Sequence, residues 1–215
     1  MTSERVDSES VTIAGAAGEL EAALDRVGRT QPAFACITCH PNPLQEGTMQ
    51  NKVVTTVSRA AARLGGLSMR FNYRGVGASQ GSYDGNRGEL DDALAAIRYL
   101  RALPESAGLP LVVTGFSFGG AIAYRVALEA EVAALITIAP AHARIPGDAS
   151  ARFARWLVIH GADDEIVPAA AALQWAGQHA PAPKIVQFAA TGHFYHGRLP
   201  QLADAITAYL RETVL

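Results

Sequence analysis

The chain has 215 residues, 49% of them hydrophobic, enough for one well-buried domain and short for two. Lys plus Arg is 18 and Asp plus Glu is 20, a formal charge of −2 with no basic run, so neither nucleic acid nor an acidic membrane surface is an expected partner. The opening MTSERVDSES is polar and has no signal-peptide core, and no stretch of about eighteen apolar residues is available to span a bilayer. The expected address is cytoplasmic. Residues 1–9 are expected to form a flexible polar tail before a single domain.

Beyond that tail, ESVTIAG and GELEAALDRV read as a hairpin, and the apolar run 33–39 as a strand. That strand contains Cys36 and Cys39. A redox C-x-x-C opens a helix, where the dipole lowers a thiol pKa. On a strand, two side chains three apart point to opposite faces, so these read as two buried structural thiols. A zinc knuckle would need a second ligand pair, and none is evident. After the loop CHPNPLQEGTM, Met49, Val53, Val57, Ala61 and Leu64 recur at helical spacing, closed by Gly65-Gly66.

The next strand, 67–73, leads into Arg74-Gly75-Val76-Gly77-Ala78-Ser79-Gln80-Gly81. Gly77 and Gly81 are separated by three residues where a dinucleotide fingerprint has two, and no helix follows at once. A turn near the pocket floor with a structural Ser79 is the reading, and no cofactor is expected. Leu90, Leu94, Ile97 and Leu100 mark the following helix, with Glu89, Asp91 and Asp92 suiting the positive end of its dipole.

The strand 110–115 then runs directly into Gly115-Phe116-Ser117-Phe118-Gly119 and an alanine-rich helix. G-x-S-x-G between strand and helix is a nucleophile elbow. The turn is so sharp that a Cβ at Gly115 or Gly119 would strike neighbouring backbone. Ser117 is thereby strained, with its hydroxyl at the sheet's C-terminal edge and at a helix N-terminus that favours developing negative charge. The backbone N–H of Phe118, the residue after the nucleophile, is the first expected oxyanion donor.

Strands at 134–139 and 156–161 follow, separated by about sixteen residues, PAHARIPGDASARFAR, room for a turn or one small helix but no lid. Asp163, Asp164 and Glu165 lie in the loop before Pro168, which can open a helix. A last strand at 184–189 precedes Gly192-His193 and His196, and Leu199, Leu202, Ile206 and Leu210 mark the final helix. Continuous apolar strands alternating with amphipathic helices give a doubly wound, mostly parallel α/β domain. A serine hydroxyl needs an adjacent base, and fold logic orders the partners serine, acid, histidine.

The elbow, HGADDEIVP and TGHFYHG together resemble the α/β-hydrolase superfamily. HPNPLQEGTMQNKVV and RFNYRGVGASQG narrow the resemblance to small cap-less bacterial hydrolases, the predicted-esterase or dienelactone-hydrolase-like proteins, from about residue 10 onward. The resemblance implies an α/β-hydrolase fold of about seven to eight strands flanked by helices, without a cap domain. In the family pattern the triad acid lies four residues before the proline, which selects Asp164 over Asp163. A histidine directly after glycine selects His193 over His196, which is left as a solvated cap of the last helix. The family's H-G-x loop makes Asn42 the second oxyanion donor, with Leu44 as the alternative. Pro41 stands where relatives commonly have glycine, and His40 is expected to brace the loop.

The implied chemistry is hydrolysis of a small carboxylic ester or related acyl bond by Ser117, His193 and Asp164, with activity lost in acid as the imidazole takes a proton. A thioesterase, lactonase or peptidase would use the same three groups. Without a cap the site suits short acyl groups. Two rival classes are a hydrolase-like binding module without turnover and a metal-dependent hydrolase using His40, His160 or His193, although no ligand spacing supports a metal. The expected partner is a small-molecule acyl substrate, with a homodimer as the fold-level expectation.

Overall fold

The computed structural model describes residues 5–28, 31–145, 153 and 155–215. In chain order it contains β1 (Asp7–Gly15), β2 (Gly18–Arg26), β3 (Phe34–Cys39), α1 (Lys52–Arg63), β4 (Gly66–Phe71), α2 (Arg87–Ala102), β5 (Leu111–Phe116) and α3 (Phe118–Glu129). Then come β6 (Ala134–Ile138), β7 (Trp156–Gly161), α4 (Ala169–Gly177), β8 (Lys184–Phe188) and α5 (Leu199–Thr213). The strands form one eight-stranded sheet in the order β1-β2-β4-β3-β5-β6-β7-β8. Pairing is antiparallel for β1 with β2 and for β2 with β4, and parallel elsewhere.

The apolar runs of β3, β5, β6 and β7 are continuous because both sheet faces are covered. On one face Leu90 and Ile97 of α2 and Ile122 and Val126 of α3 pack on Ile37, Cys39 and Val113. On the other, Val53 and Val57 of α1 and Leu202 and Ile206 of α5 pack on Cys36, Val112 and Ile136. Each such fully buried aliphatic contributes about 1.5–3 kcal/mol. Cys36 and Cys39 therefore lie in different layers, free and buried. Burial pushes both thiols up to about 12.

Three expectations need correction. Asp7, Ser8 and Glu9 are not tail: they belong to β1, where Asp7 pairs with Arg26 across the hairpin ladder. An antiparallel ladder can extend through polar residues when one face meets solvent, and a polarity count misses that. The first α-helix starts at Lys52, not near Met49, because the Asn51 side chain accepts from Val53 N–H at 2.9 Å and caps it. The glycine-rich loop 74–81 docks on the hairpin and does not line the pocket. Gln80 N–H donates to Glu19 O, and Ser79 Oγ accepts from Glu21 N–H while donating to Asn72 O.

Residues 1–4 of the expected tail, and 146–152 and 154 of the loop between β6 and β7, lie outside the described residues. No helix among the described residues is long and apolar enough to cross a membrane.

Candidate active site

Strand β5 delivers Ser117 to the C-terminal edge of the sheet in a strained backbone conformation, φ 56° and ψ −116°. The glycines around it are sterically required. A Cβ on Gly119 would stand 2.5 Å from the carbonyl oxygen of His40 and closer still to that of Cys39, while one on Gly115 would strike the Gly119 carbonyl. Ser117 N–H donates to Ile138 O at 2.9 Å, tying the elbow to β6.

The loops after β7 and β8 are joined by backbone. Ala162 N–H donates to Phe188 O and Asp163 N–H to Thr191 O. Within this clamp Asp164 is buried, and its Oδ1 accepts from the N–H groups of Ile166 at 2.9 Å and Val167 at 2.7 Å. Its Oδ2 is left for His193 Nδ1, at 2.8 Å. Burial works against this charge, but the hydrogen bond from His193 and the two backbone donors hold the carboxyl below the usual carboxylate range. A carboxylate only accepts, so Nδ1 carries the proton, and Nε2 accepts from Ser117 Oγ at 3.0 Å. Phe116 packs against the His193 ring, centroids 4.9 Å apart, and Glu165 accepts from His193 N–H at 3.1 Å.

The structure thus brings Ser117, His193 and Asp164 into one hydrogen-bonded chain and leaves the two alternatives outside it. The Asp163 side chain is exposed. His196 is also exposed and meets Lys52 Nζ at 2.9 Å, and the cap position of the last helix belongs to Arg198.

Across the pocket, His40 is fully buried and fixes the proline loop. Its Nε2 accepts from Tyr73 N–H at 3.1 Å, so the proton sits on Nδ1, which donates to Pro41 O at 2.7 Å. Burial drives the imidazole down to about 3, although the Pro41 carbonyl opposes this. Asn42 opens a short 3₁₀ turn, Pro43–Gln45. Its side chain accepts from Leu44 N–H at 3.1 Å, and its carbonyl accepts from Gln45 and Gly47. Leu44 N–H is therefore occupied. The turn makes no use of Asn42 N–H, while Phe118 N–H is one of the unsatisfied donors at the start of α3.

Asn42, Ser117 and Phe118 line one pocket of about 280 Å³ with Gln45, Ile166 and Arg144. Arg144 and the backbone role of Glu165 escape the sequence reading; position just after β6, at the sheet's C-terminal edge, is the signal that points to the former. His160 is buried beside the site, its Nδ1 donating to Gly161 O at 3.0 Å. Burial pushes its imidazole down. Among the described residues no three His, Cys, Asp or Glu side chains are grouped to hold a metal ion.

The family model described as serine aminopeptidase, S33 matches residues 52–157. An uncharacterized protein of Rickettsia prowazekii is 39% identical over 105 residues, which are 48% of this chain and 44% of that protein. The match thus spans less than half the length of the curated relative. The crystal structure of XC6422 from Xanthomonas campestris, an α/β serine hydrolase without lid, is 36% identical, covers 97% of this chain and 95% of its own, and superposes with a TM-score of 0.90. An α/β serine hydrolase homologue from Coxiella burnetii is 38% identical over 94% of this chain and 97% of its own, with a TM-score of 0.87. A lid-less sheet shared over nearly the whole length at these identities fixes the family: the chain belongs to the α/β-hydrolase superfamily.

Proposed function

We propose that this chain is a serine esterase that cleaves small carboxylic esters through an acyl-serine intermediate. One observation carries the reading: His193 bridges Ser117 Oγ at 3.0 Å and Asp164 Oδ2 at 2.8 Å. His193 takes the Ser117 proton as Oγ attacks the acyl carbon, and Asp164 stabilises the imidazolium that results. The oxyanion meets the N–H groups of Phe118 and Asn42. His193 then delivers its proton to the departing alkoxide. In the second half the same imidazole takes a proton from water as its oxygen attacks the acyl carbon, and returns that proton to Ser117 Oγ as the acyl–Oγ bond breaks and the acid leaves.

The pocket of about 280 Å³ supports short acyl groups over long ones. A fluorophosphonate probe should label the wild type and leave Ser117→Ala unlabelled. With p-nitrophenyl esters of rising chain length, turnover should peak at short acyl groups and fall about 10⁶-fold in Ser117→Ala. An unlabelled wild type would favour a binding module, and a long-chain optimum would contradict an open, small site. Matched amide substrates separate the esterase reading from a peptidase using the same groups.

A further inference from the structure

Most arginines fixed near the core are neutralised by a carboxylate. Arg70 meets Asp25 at 2.7 Å and Arg74 meets Asp92 at 2.8 Å. Arg144 differs. Among the described residues it is the one charged side chain lining the pocket that contains Ser117, and it has no carboxylate partner there.

Its position is nevertheless fixed with respect to the nucleophile. Ala141 N–H donates to Ser117 O at 3.0 Å, and Arg144 N–H closes the following 3₁₀ turn onto Ala141 O at 2.9 Å. Asn86 Nδ2 donates to Arg144 O at 3.2 Å. The guanidinium lies 5.3 Å from the centroid of the Phe118 ring, and its Nη1 donates to Tyr83 Oη at 3.4 Å. The Phe118 ring is itself held edge-on by Tyr73 at 5.8 Å. A guanidinium held over an aromatic face by a cation–π contact keeps most of its five N–H donors free for a planar, bidentate acceptor.

We propose that Arg144 is a specificity residue of this pocket, selecting acyl substrates that carry a carboxylate a few bonds from the scissile bond. The inference rests on the serine-esterase reading and names its substrate class. Arg144 and Ser117 line the same pocket, and among the described residues no carboxylate of the chain already occupies that charge.

Two substrate pairs locate the charge. Monomethyl succinate against methyl pentanoate places it on the acyl side, and acetoxyacetate against propyl acetate places it on the leaving group. The readout is the ratio of kcat/KM, charged over neutral. In at least one pair the ratio should fall about tenfold in Arg144→Gln, as expected for one lost charge-assisted pair, and return largely in Arg144→Lys. A general loss of folding or of oxyanion stabilisation lowers both members of a pair and leaves the ratio alone.

As a readout independent of turnover, monomethyl succinate or acetoxyacetate should slow fluorophosphonate labelling of Ser117 in the wild type and not in Arg144→Gln. Labelled Ser117 with ratios and protection identical in wild type and Arg144→Gln overturns the role of Arg144 and leaves the esterase reading standing. A wild type that neither labels nor turns over any of the four esters overturns both.

Discussion

At the elbow, residues 115–120, position is set by backbone against backbone. Gly119 lets α3 close on the carbonyls of Cys39 and His40, and Ser117 is forced to a positive φ by what surrounds it. Across the pocket, residues 40–44 are tied down chiefly by side-chain hydrogen bonds, and excluded volume enters only where Gly47 closes the turn on Pro41. His40 joins Pro41 to Tyr73, and Asn42 caps its own turn. A stretch held by excluded volume has no graded failure, because nothing there can give by a fraction of an ångström. One held by hydrogen bonds loses stability bond by bond. The two stretches should therefore break differently.

Gly119→Ala tests the first kind. With the flanking backbone unable to shift, a destabilisation of about 4 kcal/mol or more is expected, a fall in Tm of about 10 °C, with catalysis lost alongside. Calorimetry and ester turnover check this together. A stable, active Gly119→Ala would mean that the elbow relaxes as the proline loop does.

His40→Leu tests the second kind, leaving the buried Tyr73 N–H and Pro41 carbonyl unpaired at a cost of about 3 kcal/mol at neutral pH. Because burial holds the folded imidazole at about 3, well below its ordinary value of 6.5, the unfolded state binds the proton first as pH falls. The His40 contribution is fully present above pH 6.5 and is lost on acidification towards pH 3. The stability gap between wild type and His40→Leu should narrow by about 1.4 kcal/mol per pH unit below 6.5, so that a gap of about 3 kcal/mol closes a little above pH 4. Urea midpoints measured from pH 7 down to pH 4 give the slope, and a gap independent of pH would mean that burial does not shift the His40 imidazole.

Asn42→Ala is the mildest change. It removes the cap on Leu44 N–H but keeps the backbone donor, so about 1 kcal/mol of stability and less than tenfold in kcat should be lost. A loss of a hundredfold would show that the side chain acts beyond its turn.

The same contrast explains what could be read from the sequence. Excluded volume writes itself into local spacing, so Gly115, Ser117 and Gly119 mark the elbow directly, and Trp156–Gly161 is bounded as the apolar run suggests. Asp164 and His193 follow from the loops that must succeed β7 and β8. Side-chain hydrogen bonds between distant residues leave no such trace. Tyr73 as the partner of His40, Asn51 as the cap that sets the start of α1, and Glu19 and Glu21 as the seat of the glycine loop all depend on contacts dozens of residues apart or on a single cap. The ladder running back to Asp7 hides for another reason, since exposed strand residues carry no hydrophobic period. Position just after β6 marks Arg144 as near the sheet's C-terminal edge, but its place in the pocket wall exists only once several loops have met.

Strand β3 places one thiol in each of the two layers, and both are shut away from solvent with their protons held tightly. A reagent that needs thiolate is therefore blind to the native protein. Modification of Cys36 records the parting of α1 and α5 from the sheet, and modification of Cys39 records that of α2 and α3. The molecule carries its own pair of clocks for the two halves of its unfolding, with no label to be introduced.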